Sequence, residues 1–304
     1  MFHDHYNAAR TKAVTFTKDW MGILKLTGPE RHTWLQGMVT NEVENLKPGE
    51  ACYAAHLNAQ GKVVAQMTVF AAKDEIWLLV EQTAVQKLAA VFDRLIIMED
   101  VQVRNVSSEY SVLGLVGPQT RALVQTLEYP AVSVDLGYDL IVPKDALARV
   151  SENLTAAGAL PADPGIWNIL RAESGIPVYG VDIDETTTMP ELGQRGISYD
   201  KGCYIGQEVV ARIKYIGHVN RRFVGFVCDE GAIPEVRSTV QVQGKDVGYI
   251  TTAVFSPGLG RPIALGFVNR VAGEPGTSVL LAGNTAIVAA RVAALPIIPT
   301  GSGD

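Results

Sequence analysis

Cysteine is scarce in this chain: Cys52, Cys203 and Cys228 are the only three in 304 residues, far apart and without a C-x-x-C pair. An odd number at such spacing excludes a disulfide framework and a self-contained cysteine site for a metal or iron-sulfur cluster. The five histidines are scattered, and His3 and His5, the one close pair, lie at a terminus expected to fray, so no metal is assigned. Long apolar runs are missing as well. Even residues 84–98 are broken by Lys87, Asp93 and Arg94, which excludes a bilayer-spanning helix. There is no basic excess: 26 Lys and Arg stand against 32 Asp and Glu, a net charge of -6, which argues against direct nucleic-acid binding. The first six residues, MFHDHY, form neither a basic-apolar leader nor an Arg-rich amphipathic one. The expectation is a cytoplasmic protein, taken as a monomer.

What is present is an ordinary globular balance, 47% hydrophobic and 19% charged, in a chain longer than one core supports, so two or three domains are expected. Residues 22–27 alternate like a strand, and Gly28-Pro29 then opens a helix over 30–38. Residues 51–57 and 62–71 read as strands around the turn Asn58-Ala59-Gln60-Gly61, and 75–81 as another. Val85, Leu88, Phe92 and Leu95 fall at helical spacing within 83–97, and 101–106 returns to strand. The rhythm recurs as strand 110–116, helix 118–127, strand 138–142 and helix 144–157. Two mixed α+β lobes are the simplest account. A further helix over 164–174 carries Trp167, Arg171 and Glu173. Residues 179–196 are polar and turn-rich, long for an idle connection. After Gly217 come six short β-like runs, 222–229, 236–243, 247–256, 263–268, 278–281 and 286–293, the pattern of a small barrel or sandwich. The expected division is therefore 1–217 and 218–304, with 299–304 a loose tail.

The stretch 200–214, DKGCYIGQEVVARIK, organises the rest. Gly206 can cap a helix over 207–214, which puts Cys203 just ahead of its positive end and beside Lys201, and both effects favour a thiolate. Cys52 and Cys228 lie in expected strands, where burial would make them inert. Glu173 offers a carboxylate that can accept two parallel hydrogen bonds from a ring amidine, and Trp20 and Trp167 offer flat apolar faces for a ring. Glu208 and Arg212 have the spacing of a surface ion pair. Arg212, Lys214, His218, Arg221 and Arg222 form a basic run expected to be a solvated face. Each of these residues, taken alone, has a commoner role in packing or solvation.

Together they carry a resemblance. Residues 201–208, KGCYIGQE, resemble the hallmark of the YgfZ-type folate-binding proteins, relatives of the glycine-cleavage T-protein. The resemblance continues through LKLTGPERHTWLQGMVTNEV (24–43), LNAQGK (57–62), Glu173-Ser174-Gly175-Ile176-Pro177 and GYITTAVFSPGLGRPIALGFV (248–268). It implies a T-protein-like α+β fold, two lobes around a central folate cavity and a small C-terminal β-barrel. It further implies tetrahydrofolate or a one-carbon derivative as ligand, bound by Trp20, Trp167 and Glu173, with Cys203 and Lys201 as the reactive pair. The implied role is support of iron-sulfur cluster assembly or repair, with iron-sulfur assembly or carrier proteins as partners and tRNA modification affected indirectly.

Two departures bear on this. Residues 179–187, YGVDIDETT, are closer to true T-proteins and keep a folate-dependent aminomethyltransferase as the alternative. Against it, T-proteins carry an Asp-Asp pair after the LNAxG turn, where this chain has Ala65 and Gln66, neither of which can act as general acid or base. T-proteins also lack the KGCYxGQE run. A third possibility is a non-catalytic folate-sensing module that docks iron-sulfur carriers.

Overall fold

The computed structural model describes residues 2–229 and 231–299. Chain contacts divide it into two compact units that interleave in sequence, Met1–Pro164 with Arg195–Ala211 and Gly165–Gln194 with Arg212–Asp304.

The first unit opens with α1 (Phe2–Thr11), β1 (Val14–Thr17), β2 (Met21–Thr27), α2 (Arg31–Gln36), β3 (Ala51–Leu57), β4 (Val63–Ala71), β5 (Ile76–Glu81), α3 (Gln82–Leu95) and β6 (Gln102–Asn105). The strands β3-β4-β5-β2-β6 form one antiparallel sheet. Next come β7 (Tyr110–Val116), α4 (Thr120–Val124), β8 (Ala131–Val134), β9 (Gly137–Pro143), α5 (Leu147–Ala156) and β10 (Leu160–Pro161). They build a second sheet in the order β10-β1-β7-β9-β8, in which β1 and β10 run parallel. Strand alternation decides which side chains meet. Val112 of β7 joins Val132 and Ile141 against Ile23, Phe70, Trp77 and Leu79 of the first sheet. Its neighbours Leu113 and Leu115 point the other way, toward Val150 and Leu154 of α5. Helix α3 buries Val85, Leu88 and Phe92, and full burial of each is worth roughly 1.5–3 kcal/mol.

Three expectations are corrected here. The N-terminus does not fray: α1 runs from Phe2 to Thr11, because Tyr6 and Ala9, three apart on one face, are buried. The helix expected over 118–127 shortens to the five residues of α4, and the one over 144–157 starts only at Leu147.

In the second unit α6 (Gly165–Glu173) and a 3-10 turn, Met189–Leu192, precede the strands, and α7 (Gln207–Tyr215) crosses the division between the units. Then β11 (Arg221–Cys228), β12 (Thr239–Val242), β13 (Lys245–Ser256), β14 (Arg261–Asn269), β15 (Ser278–Ala282) and β16 (Ile287–Ala293) close into a barrel, β11-β14-β13-β12-β15-β16. Closure comes from the pairing of β11 with β16, which leaves these strands no open edge. Of the two architectures the sequence allowed, barrel or sandwich, the chain adopts the barrel. Its interior is filled by alternate residues such as Val224, Phe226 and Cys228 of β11. The part of the expected loose tail from residue 300 onward lies outside the described residues.

Candidate functional site

In the first unit the segments that stand out in the sequence converge. The turn after α2 braces itself: Gln36 Oε1 accepts from the Val43 amide at 2.9 Å, Gln36 Nε2 donates to Glu42 at 2.7 Å, and Asn41 Nδ2 donates to the Tyr53 carbonyl. Burial alone would raise the Glu42 carboxyl, but hydrogen bonds from Gln36 and from the Asn45 and Glu44 amides hold it below its usual range. The β3–β4 turn is organised by Asn58, whose Oδ1 accepts from the Gln60 and Lys62 amides. Against these two turns lies the segment 196–206. Thr40 Oγ1 donates to the Gly196 carbonyl at 2.6 Å, the Ser198 amide to the Thr40 carbonyl at 3.0 Å and the Ile205 amide to the Gly37 carbonyl at 3.2 Å. Gly206 sits at φ +84, and a Cβ there would lie 2.6 Å from the Asn58 carbonyl oxygen. Only glycine fits both the angle and the space.

Within this segment the two expected reactive residues behave differently. Cys203 is exposed, and α7 begins at Gln207 as the spacing predicts. Lys201 is buried, and its ammonium donates to the carbonyls of Gln36 at 2.7 Å, Val39 at 2.8 Å and Asn41 at 2.7 Å. Burial pulls its pKa down to about 8, with the nearby Glu42, Cys52 and Glu44 opposing the drop. The thiol in its field is Cys52. Burial pushes that thiol up to about 11, and does the same to Cys228 inside the barrel.

The second unit holds another cluster. Helix α6 carries Trp167, which is half-buried, and Glu173, which is fully buried and accepts a hydrogen bond from Ser256 Oγ at the end of β13. Between them Arg171 is locked into a network the sequence did not disclose. Its guanidinium donates to Asp182 at 2.8 Å, Thr252 at 2.9 Å, Asn168 at 2.8 Å and the Ile176 carbonyl at 3.2 Å. Asp182 in turn accepts from the Thr251 and Thr252 hydroxyls and the Val178 amide. A register shift in β13 between Ile250 and Thr252 accompanies the placing of two consecutive threonines on one carboxylate. The connection after α6 is thus ordered by Asp182, whose only sequence signal is an acid among apolar neighbours.

Trp20 belongs to the first unit and Trp167 and Glu173 to the second. Trp20 is half-buried, stacked 6.5 Å from Phe16, and its neighbours Asp19 and Met21 line a polar cleft of about 720 Å3 that also takes in Lys18, Gln82, Asn105 and Lys144. The basic run is not one solvated face. Arg221 lies 4.5 Å over the Phe267 ring, bonds Tyr249 and pairs with Glu191 at 3.2 Å, and Arg222 pairs with Glu274, while Arg212, Lys214 and His218 are exposed. Among the described residues no three His, Cys, Asp or Glu come together as a metal site.

Comparison with known proteins agrees with this architecture. Residues 1–135 match the GCVT N-terminal domain, and residues 221–298 match the glycine cleavage T-protein C-terminal barrel domain. The chain belongs to the glycine-cleavage T-protein superfamily. Its T-protein relatives include the aminomethyltransferase of Thermoanaerobacter pseudethanolicus, 27% identical over 306 residues that cover 90% of this chain and 83% of that protein. The aminomethyltransferase of Listeria monocytogenes serotype 4a is 28% identical over 308 residues, with 90% and 83% covered. The crystal structure of the glycine cleavage system aminomethyltransferase T from Bartonella henselae shares the fold, with a TM-score of 0.87 over 98% of this chain and 89% of that one at 18% identity. Both T-protein domain matches leave out residues 136–220, the stretch that holds α6, Asp182 and KGCYIGQE. In β4, just after the β3–β4 turn, Ala65 is buried, and Gln66 is buried with its amide bonded to the Tyr53 hydroxyl. No titratable side chain occupies either position.

Proposed function

We propose that this chain binds a reduced folate, tetrahydrofolate or a one-carbon derivative, and supports iron-sulfur cluster assembly or repair through Cys203 rather than passing aminomethyl groups in glycine cleavage. The observation that carries it is the pair Ala65 and Gln66. A general acid or base must be titratable and within reach of the moving proton, and here one position is a buried methyl and the other an amide engaged with Tyr53. Cys203 is, in contrast, exposed on the run KGCYIGQE that resembles the YgfZ-type hallmark. The T-protein domains support a folate ligand, and Trp20, Trp167 and Glu173 are its candidate contacts by the family resemblance, Glu173 being oriented by Ser256. In this reading residues 1–217 carry folate and thiol, residues 218–304 are the barrel domain, and the protein is a cytoplasmic monomer whose partners are iron-sulfur assembly or carrier proteins. The effect on tRNA modification is indirect.

A second reading, folate-dependent aminomethyl transfer, is favoured by the names of relatives that match over most of the chain. A third, a non-catalytic folate-sensing module, would leave Cys203 without a covalent step. One set of experiments separates them. Folate should quench tryptophan fluorescence, and Trp167→Ala or Glu173→Ala should each weaken binding by about tenfold or more, because a stacked ring or a charged hydrogen bond contributes roughly 1–3 kcal/mol. Formation of methylenetetrahydrofolate from an aminomethyl-lipoyl carrier should be absent, and turnover at a T-protein rate would establish the second reading instead. Unchanged folate affinity in both variants would remove the site altogether. Cys203→Ser should fail to restore iron-sulfur enzyme activity in a strain lacking the protein, and full restoration would leave the third reading.

A further inference from the structure

A lysine two residues from a functional thiol invites the view that it lowers the thiol pKa. The geometry points elsewhere. We propose that Lys201 is a tethered cation that positions the Cys203 loop, its ammonium filling a cradle of three main-chain carbonyls in the turn after α2, and that it is not the partner of the Cys203 thiol. The inference rests on the reading of Cys203 as the functional thiol.

An ammonium group has three donors and no acceptor. At Lys201 the three carbonyls of Gln36, Val39 and Asn41, at 2.7, 2.8 and 2.7 Å, use all three. The cradle needs such a group. Gln36 is the last residue of α2, and carbonyls at and just past a helix end lack intrahelical partners, so when buried they must be satisfied from elsewhere. The negative groups that face the cation are Glu42 and Glu44 from the same turn, the thiol beside it is Cys52 of β3, and the Tyr204 ring lies 5.2 Å away. Cys203 is exposed while Lys201 and Tyr204 are buried, so the thiol and the ammonium stand in different environments. Lys201 also stands in a row of ties between the same two segments, with Thr40 to Gly196, Ser198 to Thr40 and Ile205 to Gly37 on either side. Arginine could not replace it, because a planar fork cannot direct its donors to three carbonyls that converge on one point.

The test compares Lys201→Met, which keeps length and loses all donors, with wild type. Hydrogen exchange at the Ser198 and Ile205 amides should accelerate by about tenfold or more relative to the barrel amide of Ile250, in line with the loss of buried hydrogen bonds. The pH midpoint of Cys203 alkylation by iodoacetamide should stay where it is in wild type. In Lys201→Ala, added alkylammonium should recover part of the protection and an alcohol of equal length should not. Unchanged protection in Lys201→Met, or a rise of about one pH unit or more in the Cys203 midpoint, would overturn the proposal. Should the variants fail to fold, wild type decides: a slowly exchanging Lys201 ammonium with through-bond coupling to the three carbonyls is expected, and a freely exchanging one refutes the cradle. Tetrahydrofolate binding measured on the same wild-type sample keeps the two readings apart, since its absence would end the folate proposal and leave the loop anchor standing.

Discussion

The two clusters are built on opposite principles. In the second unit Arg171, Asp182, Thr251 and Thr252 meet side chain to side chain in the interior, each polar group answered by another. In the first unit the segment 196–206 is held mainly through main-chain carbonyls and amides, and Cys203 is exposed together with Asp200 and Gly202. A buried network fixes where α6 and its Trp167 and Glu173 stand. A loop tied by its backbone can keep its side chains free for chemistry. The difference teaches that the cluster around α6 is fixed by a buried charge pair with its hydroxyl partners, and the segment 196–206 by contacts to carbonyls.

The largest expected effect breaks the network. Asp182→Ala leaves the Arg171 guanidinium buried without its carboxylate, a loss on the order of 3–5 kcal/mol, which should lower the thermal midpoint by about 5 °C or more. A drop of less than about 3 °C would show that the network is not the rigid element it is taken to be.

Next in size is the backbone of the loop. Gly206→Ala combines an unfavourable φ with a contact to the Asn58 carbonyl and should cost about 1–3 kcal/mol by urea unfolding. Gly202→Ala, four residues away with nothing within 4 Å of its Cβ, should stay within about 0.5 kcal/mol. Equal costs at the two glycines would contradict the picture of a loop pinned at one end and open at the other.

Cysteine substitutions sharpen the same contrast. Cys203→Ser should leave stability unchanged, whereas Cys228→Ser puts a hydroxyl into the barrel core and should cost about 1–3 kcal/mol. Timed alkylation followed by peptide mass mapping should label Cys203 well before Cys52 and Cys228, whose burial pushes both thiols up to about 11. Labelling of Cys52 as fast as Cys203 would show that β3 opens to solvent.

A further effect is confined to alkaline pH. Lys201 has its pKa lowered to about 8 by burial, against 10.5 for the free side chain. Between those values the unfolded chain holds a proton that the folded chain has released, so this group makes stability rise with pH across that window. A nuclear magnetic resonance titration of its side chain should show a midpoint near 8. A midpoint at or above 10.5 would mean that the three carbonyls outweigh burial.

Much of the fold was legible. β3 and β7 occupy the residues expected, and the helix of α7 begins where Gly206 suggests, because alternation, helical spacing and turn residues act locally. The short strands β1, β8 and β10 were not legible, since two to four residues carry too little pattern to be seen without the neighbours they pair with. Nor was α1, whose helix rests on the burial of Tyr6 and Ala9. Among the residues of the proposed site, Cys203, Glu173 and the tryptophans Trp20 and Trp167 were picked out by type and by the family resemblance. Asp182 and the carbonyls of Gln36, Val39 and Asn41 are not, for an acid in a turn has many possible roles and a carbonyl has no residue type at all.

By itself the sequence determined the order of the longer elements, the two α+β lobes followed by a run of short strands, the resemblance to the superfamily and a cysteine ahead of a helix, because each is written in the spacing or identity of residues near one another in the chain. Tertiary structure decided the partners. Lys201 looks like the neighbour of Cys203 in a linear reading and like a cation in a carbonyl cradle once 160 residues of chain separation are closed. Arg171, only a charge on a helix in the linear reading, is committed to Asp182 and Thr252. The physical reason is that charge and hydrogen bonding are settled by distance and burial in space, and neither quantity exists until the chain has folded.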